Sequence, residues 1–254
     1  MRRARAWRAA GIGLLAHVLF VLAWHVGVKL GNVPPFILPT PWATVSTLAE
    51  PRYDWVGNTL VTAAEIFGGF ALATLLGVSL ALLFVWSRIG LLVLMPLLVT
   101  FNMIPKAALG PLIIVWMSYG IVTNIVIAFA IAFFPILLTT LRGLREVEPE
   151  LIEIVRALRA TRWQVFTQIQ LPGSLPYLFS GMKAGAVLAV AGAIVGEFIG
   201  SEQGLGYLML QVQVRLDTAA MMMAVLLISA IGIVLYGLVA ALESLVVVRD
   251  ARLG

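Results

Sequence analysis

Four stretches of this chain contain no Asp, Glu, Lys or Arg and are apolar almost throughout: Ala9–Val28, Ile66–Ser87, Ala107–Leu141 and Thr218–Leu242. A helix needs roughly 20 residues, at about 1.5 Å of rise each, to cross about 30 Å of hydrocarbon. Every one of these runs is long enough. Barrel strands instead alternate apolar and polar residues over about ten positions, and these runs do not alternate. The chain is therefore expected to be an all-α integral membrane protein. Composition agrees, since 61% of residues are hydrophobic and only 11% charged, against about 25% charged in soluble domains.

The run Ala107–Leu141 is too long for one straight span, and Pro111, Gly120 and Pro135 interrupt it. Dividing it gives six predicted spans in a single transmembrane domain over residues 1–254. They cover about 11–30, 55–86, 89–117 with a break near 103–106, 121–141, 177–199 and 218–248. Asn32–Pro41 holds four prolines, at 34, 35, 39 and 41, and cannot be helical. A short interfacial helix, about Trp42–Leu48, is expected after it. Met1–Ala10 followed by Gly11–Val28 has the outline of a signal peptide. Its apolar part exceeds the usual signal core of about 7–15 residues and no small-x-small cleavage site follows, so a retained first helix is expected.

The net charge of +5 does not imply nucleic acid. With the polar stretch 142–176 placed in the cytoplasm, twelve arginines fall on that side: Arg2, Arg3, Arg5, Arg8, Arg88, Arg142, Arg145, Arg156, Arg159, Arg162, Arg249 and Arg252. Only Lys29, Arg52, Lys106 and Arg215 fall opposite. This is the positive-inside bias, and six spans put both termini inside. The chain has no cysteine, which removes disulfides and thiolate metal sites. His17 and His25 are eight residues apart, too far round a helix to share a metal, and no metal site is expected.

Residues 142–176 form a charged, helical island between two spans. Pro149 suits a first helical turn, with Glu150 and Glu153 near the positive end of the helix dipole and Arg156 and Arg159 toward the negative end. Leu151, Ile154, Val155 and Leu158 recur at helical spacing as one apolar stripe. A second helix is expected over about Arg162–Gln170, presenting Trp163, Val165, Phe166 and Ile169, with Pro172 and Pro176 ending it before the membrane. Such a pair either docks a soluble partner or lies on lipid headgroups.

The island resembles the cytoplasmic loop of ABC importer permeases, whose signature is Glu-Ala-Ala, three residues, Gly, nine residues, Ile, one residue, Leu-Pro. Glu153-Ile154-Val155, Ile169 and Leu171-Pro172 stand at the matching positions. Arg159 stands at the usual Gly, implying either a less strained turn or a small conformational cost. Further pieces narrow the resemblance to permeases of the nitrate, sulfonate, taurine and pyrimidine-precursor group. They are Ile37-Leu38-Pro39-Thr40-Pro41, Thr59-Leu60 with Glu65 and Gly69-Phe70, Pro105-Lys106 with Ala108-Leu109 and Pro111-Leu112, Phe133-Phe134-Pro135-Ile136, and Gly196-Glu197 with Gly204-Leu205-Gly206.

The resemblance implies a type I ABC importer permease fold, a homodimer, ATPase subunits on the inside and a solute-binding protein on the outside. It also implies an ATPase-docking set: Glu150, Glu153, Arg156, Ala157, Leu158, Arg159, Ala160, Thr161, Leu171 and Pro172. No G-x-x-x-x-G-K-[ST] occurs, so this chain holds no cofactor. ATP and Mg would belong to the separate ATPase, and the chain itself would be no enzyme. The solute would be a sulfonate, nitrate, pyrimidine precursor or aromatic acid. A self-contained secondary transporter is the rival, but internal repeats and midplane charges of the kind such proteins show are not evident.

Charged and polar residues within spans are candidates for function. Glu65, Asn102, Met103 and Lys106 are the pathway candidates. Glu65 could equally form a structural pair, and Lys106 could mark the outer face. Lys183 is expected to snorkel to the inner interface, and Glu197 with Ser201, Glu202 and Gln203 to form an external turn or docking surface. Met221-Met222-Met223 and Met209 read as adaptable packing residues.

Overall fold

The computed structural model describes residues 2–146, 153–155 and 157–247. Helix α1 runs Arg2–Leu30, α2 Pro41–Ser46, α3 Trp55–Trp86, α4 Arg88–Met103, α5 Lys106–Met117 and α6 Ile121–Arg145. After the island come α7 Arg162–Val165, a π-helical turn Phe166–Gln170, α8 Leu171–Gly200, α9 Leu205–Gln213 and α10 Thr218–Val246. No strand occurs among the described residues. Among the described residues, five helical segments are long and apolar enough to span, or six if α4 and α5 count as one broken span.

Helix α6 is the centre of the molecule, packed between α3 and α8. Its Ala128 explains how closely they meet. A Cβ added to Gly69 of α3 would fall 2.5 Å from the Ala128 Cβ, and one added to Gly192 of α8 would fall 2.6 Å from its Cα. Backbones this close gain dispersion contacts, the main attraction available where lipid is as apolar as any side chain. The resulting core joins Ile66, Phe70 and Ala73 to Ala128, Ala132 and Ile136 and to Ala186, Ala189 and Ala193. A second cluster near the island joins Ala81 and Phe84 to Leu137, Leu141, Leu144 and Phe166.

Helix α1 stands apart. Almost all of its apolar length is exposed, and it is tied down near its C-terminal end, where Val28 is buried and Trp24 Nε1 donates to Pro39 O at 3.0 Å. It begins at Arg2, earlier than the predicted Gly11. Between α4 and α5 the chain bends by 107°. Ile104 precedes a proline and takes extended angles, φ −69° and ψ 126°, as its neighbour's ring requires.

One expectation fails outright. Pro172 and Pro176 do not end the second island helix, because the chain stays helical from Arg162 to Gly200. Pro176 lies inside α8, and the π turn explains how Pro172 is accommodated. Leu171 N–H bonds five residues back to Phe166 O, so the turn is one residue wider and Pro172 enters the first turn of α8. There its missing N–H and its ring are tolerated. Helix α6 likewise continues to Arg145, four residues past the predicted end at Leu141. Arg142 and the exposed Glu146 pair at 2.7 Å there, and hydrogen bonds from Arg142 hold the Glu146 carboxyl below its ordinary range.

Candidate functional site

Glu150 and Arg156 lie outside the described residues, as does Leu151. Glu153–Val155 are helical and Glu153 is exposed. That helix closes with Ala160 N–H bonding to Val155 O at 3.1 Å and Arg159 at φ 60°, the Schellman arrangement that favours glycine at the left-handed position. The arginine therefore does not relax the turn. It accepts the left-handed conformation at a cost of about 1 kcal/mol. Thr161 then caps α7 through a reciprocal capping box: Gln164 N–H donates to Thr161 Oγ1 at 3.3 Å, and Thr161 N–H to Gln164 Oε1 at 2.8 Å. Between these caps Ala157 and Leu158 face solvent and Ala160 is half-buried.

The island presents apolar side chains outward. Ile154 is 59% exposed, Leu158 76% and Trp163 63%. Arg159, Arg162 and Glu153 lie among them, also exposed. Leu171 and Pro172 are exposed at the start of α8. A cavity of about 270 Å³ lies beside α7, lined by Val85, Trp86, Ala160, Arg162, Val165, Phe166 and Gln170.

The pathway candidates separate. Glu65 is wholly buried, 0% exposed, between α3, α6 and α8. Its Oε1 accepts from Asn124 Nδ2 at 2.7 Å, and its carboxyl adjoins that of Glu197. It is an interhelical contact, the alternative left open by its sequence. At the bend, Lys106 Nζ donates to Asn102 Oδ1 at 2.6 Å and Asn102 O at 3.1 Å, and lies 5.5 Å from the Phe134 ring centroid. Among the described residues Lys106 has no carboxylate partner. Met103 is exposed beside it.

Glu197 is no docking surface, being 1% exposed. Its Oε1 accepts from Thr62 Oγ1 at 2.6 Å and its Oε2 from Gly206 N–H and, at 3.1 Å, from Tyr207 N–H. A carboxylate thus sits on the N-terminus of α9, where the helix dipole and free amides favour negative charge. Leu205 N–H donates to Thr62 Oγ1 and Gly204 N–H to Asn58 Oδ1, both at 2.8 Å, pinning the Ser201–Gly204 turn to α3. Lys183 pairs with Glu243 at 2.6 Å, both largely buried. Just before α3, Tyr53 O–H donates to Asp217, and Arg52 lies 2.6 Å from Glu50 and 3.6 Å from Asp217.

Sequence reasoning missed Thr62, Asn124 and Glu243. Thr62 lies three residues before Glu65, hence on nearly the same helix face. Asn124 and Glu243 are polar interruptions of apolar runs, a signal that was available.

Helices around a central glycine-packed α6, with a capped helix–turn–helix continuous with a span, define a transport permease of the type I ABC importer class. Residues 73–248 match the family of binding-protein-dependent transport system inner membrane components. The chain belongs to that family, and is thus a multi-pass inner-membrane permease component of an ABC importer for a small solute. It is 35% identical over 247 residues to the riboflavin transport system permease protein RibX of Chloroflexus aurantiacus, covering 96% of this chain and 92% of that one. It is 29% identical over 232 residues to the formylaminopyrimidine transport permease protein ThiX of Halalkalibacterium halodurans, covering 91% and 92%. The fold matches a solved inward-facing conformation of the MetNI methionine ABC transporter, with a TM-score of 0.57, 22% identity, and coverage of 72% of this chain and 94% of that one.

Proposed function

We propose that two copies of this permease assemble with two separate ATPase subunits, which bind ATP and Mg, while this chain binds no cofactor. The ATPases dock on the island at Glu150, Glu153, Arg156–Thr161 and Leu171-Pro172. Both termini lie on that cytoplasmic side, and a solute-binding protein delivers its cargo from the other. ATP binding draws the ATPases together, the islands follow, and the bundles swing to accept the solute. Asn102, Met103 and Lys106 line the route at the bend. Glu65 is withdrawn to the bundle interior.

The observation that carries this reading is the island's form. Two caps fix a helix–turn–helix whose outward side chains include Ile154, Leu158 and Trp163, and its second helix continues into the span. Exposed apolar groups on a charged, capped helix–turn–helix suit a protein partner. The riboflavin and formylaminopyrimidine relatives support a heteroaromatic solute within the broader class of sulfonates, nitrate, pyrimidine precursors and aromatic acids.

Replacing Glu153 with Lys tests the docking assignment. Uptake should fall at least about tenfold, equal to about 1.4 kcal/mol of lost coupling, and the ATPase should no longer co-purify, while the permease remains in the membrane. Uptake equal to the parent's would remove the island from the docking role.

A further inference from the structure

We infer that Trp86, Trp163 and Phe166 form a mechanical joint that makes the docking island and α3 move as one body, with Trp86 as its positioning residue. The inference rests on the docking assignment above.

Trp86 is the last residue of α3. Its ring centroid lies 5.3 Å from that of Phe166, at 62° between planes, and 6.0 Å from that of Trp163. Trp163 and Phe166 are 5.8 Å apart. The three rings thus touch pairwise, in the tilted and edge-on arrangements that aromatic quadrupoles prefer. Phe166 is buried in the cluster with Ala81, Phe84, Leu137, Leu141 and Leu144, whereas Trp163 is exposed on the island. The joint therefore runs from the outward face of the island, through a side chain rooted in the core, to the end of α3.

A second connection exists through the backbone, but it is compliant where it matters. The π turn Phe166–Gln170 lies between α7 and α8, and π bulges are among the few places where a helix bends sharply. The cavity of about 270 Å³ beside it, bounded by Val85, Trp86 and Gln170, leaves room for α7 to shift against α3. Without the rings, displacement of α7 could be absorbed by the π turn and the cavity. With them, it reaches α3, whose other end holds the α9 terminus through Thr62 and Asn58.

Trp86→Ala tests this in the reconstituted complex with its ATPase. Hydrolysis and assembly should persist, because Trp86 belongs to α3 and not to the docking set, while solute moved per ATP falls about tenfold, the scale of a few lost aromatic contacts. Trp86→Phe should restore most of the ratio. If the Ala variant is not recovered from the membrane, Trp86→Leu, which keeps apolar volume, replaces it. Because the chain has no cysteine, Trp86→Cys with Phe166→Cys can be bridged by a short bifunctional thiol reagent. The unbridged pair should be uncoupled and the bridged pair should regain the ratio. An unchanged ratio in Trp86→Ala overturns the joint, as does loss of ATPase binding, which would put Trp86 in the docking surface itself. Arrest on bridging also overturns it, since the joint would then have to open during transport. Should the unaltered permease bind no ATPase at all, the docking assignment fails instead, a result visible before any variant is made.

Discussion

Arg159 takes a backbone conformation that does not suit its type. At φ 60° it holds a position where glycine has no steric cost. Arg159→Gly should therefore slow hydrogen exchange across residues 157–165 by up to about fivefold, reflecting roughly 1 kcal/mol of relieved strain offset by glycine's greater chain entropy. Faster exchange would mean that the guanidinium makes a compensating contact. The buried Lys183–Glu243 pair argues the opposite way. Glu243→Ala leaves a largely buried ammonium alone, at a cost of roughly 3 kcal/mol. The melting temperature of the purified permease should drop in Glu243→Ala and recover in the Lys183→Met, Glu243→Leu double variant. Failure of the double variant to recover would show that the two charges do not act on each other.

At the scale of elements, hydropathy made the spans legible, because a run of about twenty apolar residues has few other uses. Helix α3, Trp55–Trp86, begins well before the charge-free run Ile66–Ser87. The break before Pro105 was legible for a different local reason, the restriction that a proline places on the residue before it. What the sequence did not reveal were properties that depend on register or on distant partners. Proline ends a helix only if the preceding turn keeps α spacing, and the π turn at Phe166–Gln170 is not readable from residue types. Glu197 meets Thr62 across 135 positions, so a polar group near a predicted outer turn was visible while its burial was not. Glu243 stands at the end of a long apolar run, and the lysine that neutralises it is far away in sequence. The anchoring of α9 gives a test at this scale. Thr62→Val removes a donor to Glu197 and the acceptor for Leu205 N–H, and should cost about 1–3 kcal/mol. The cost should appear as faster exchange confined to residues 201–213, and uniform loosening of the whole bundle would contradict this role.

For the whole molecule, sidedness is the property on which every partner assignment depends. Single cysteines can be introduced into a cysteine-free background. A thiol reagent that cannot cross the membrane should label Ser46→Cys or Gln203→Cys in intact cells, both at exposed positions. It should spare Arg145→Cys until the membrane is opened. Reversed labelling would turn the molecule over and move the island away from any cytoplasmic ATPase. The central position of α6 also has a bearing on how the chain is made. Half of its packing surface is completed by α3, synthesised earlier, and half by α8, which emerges only after the island. A nascent chain must therefore hold α6 in lipid with Ala128 covered on one side alone. A chain stopped after Glu146 should insert yet remain open to proteases between α5 and α6, and extension through Gly200 should close it. The permease would thus mature in two stages, with the island translated just before the helix that locks the bundle.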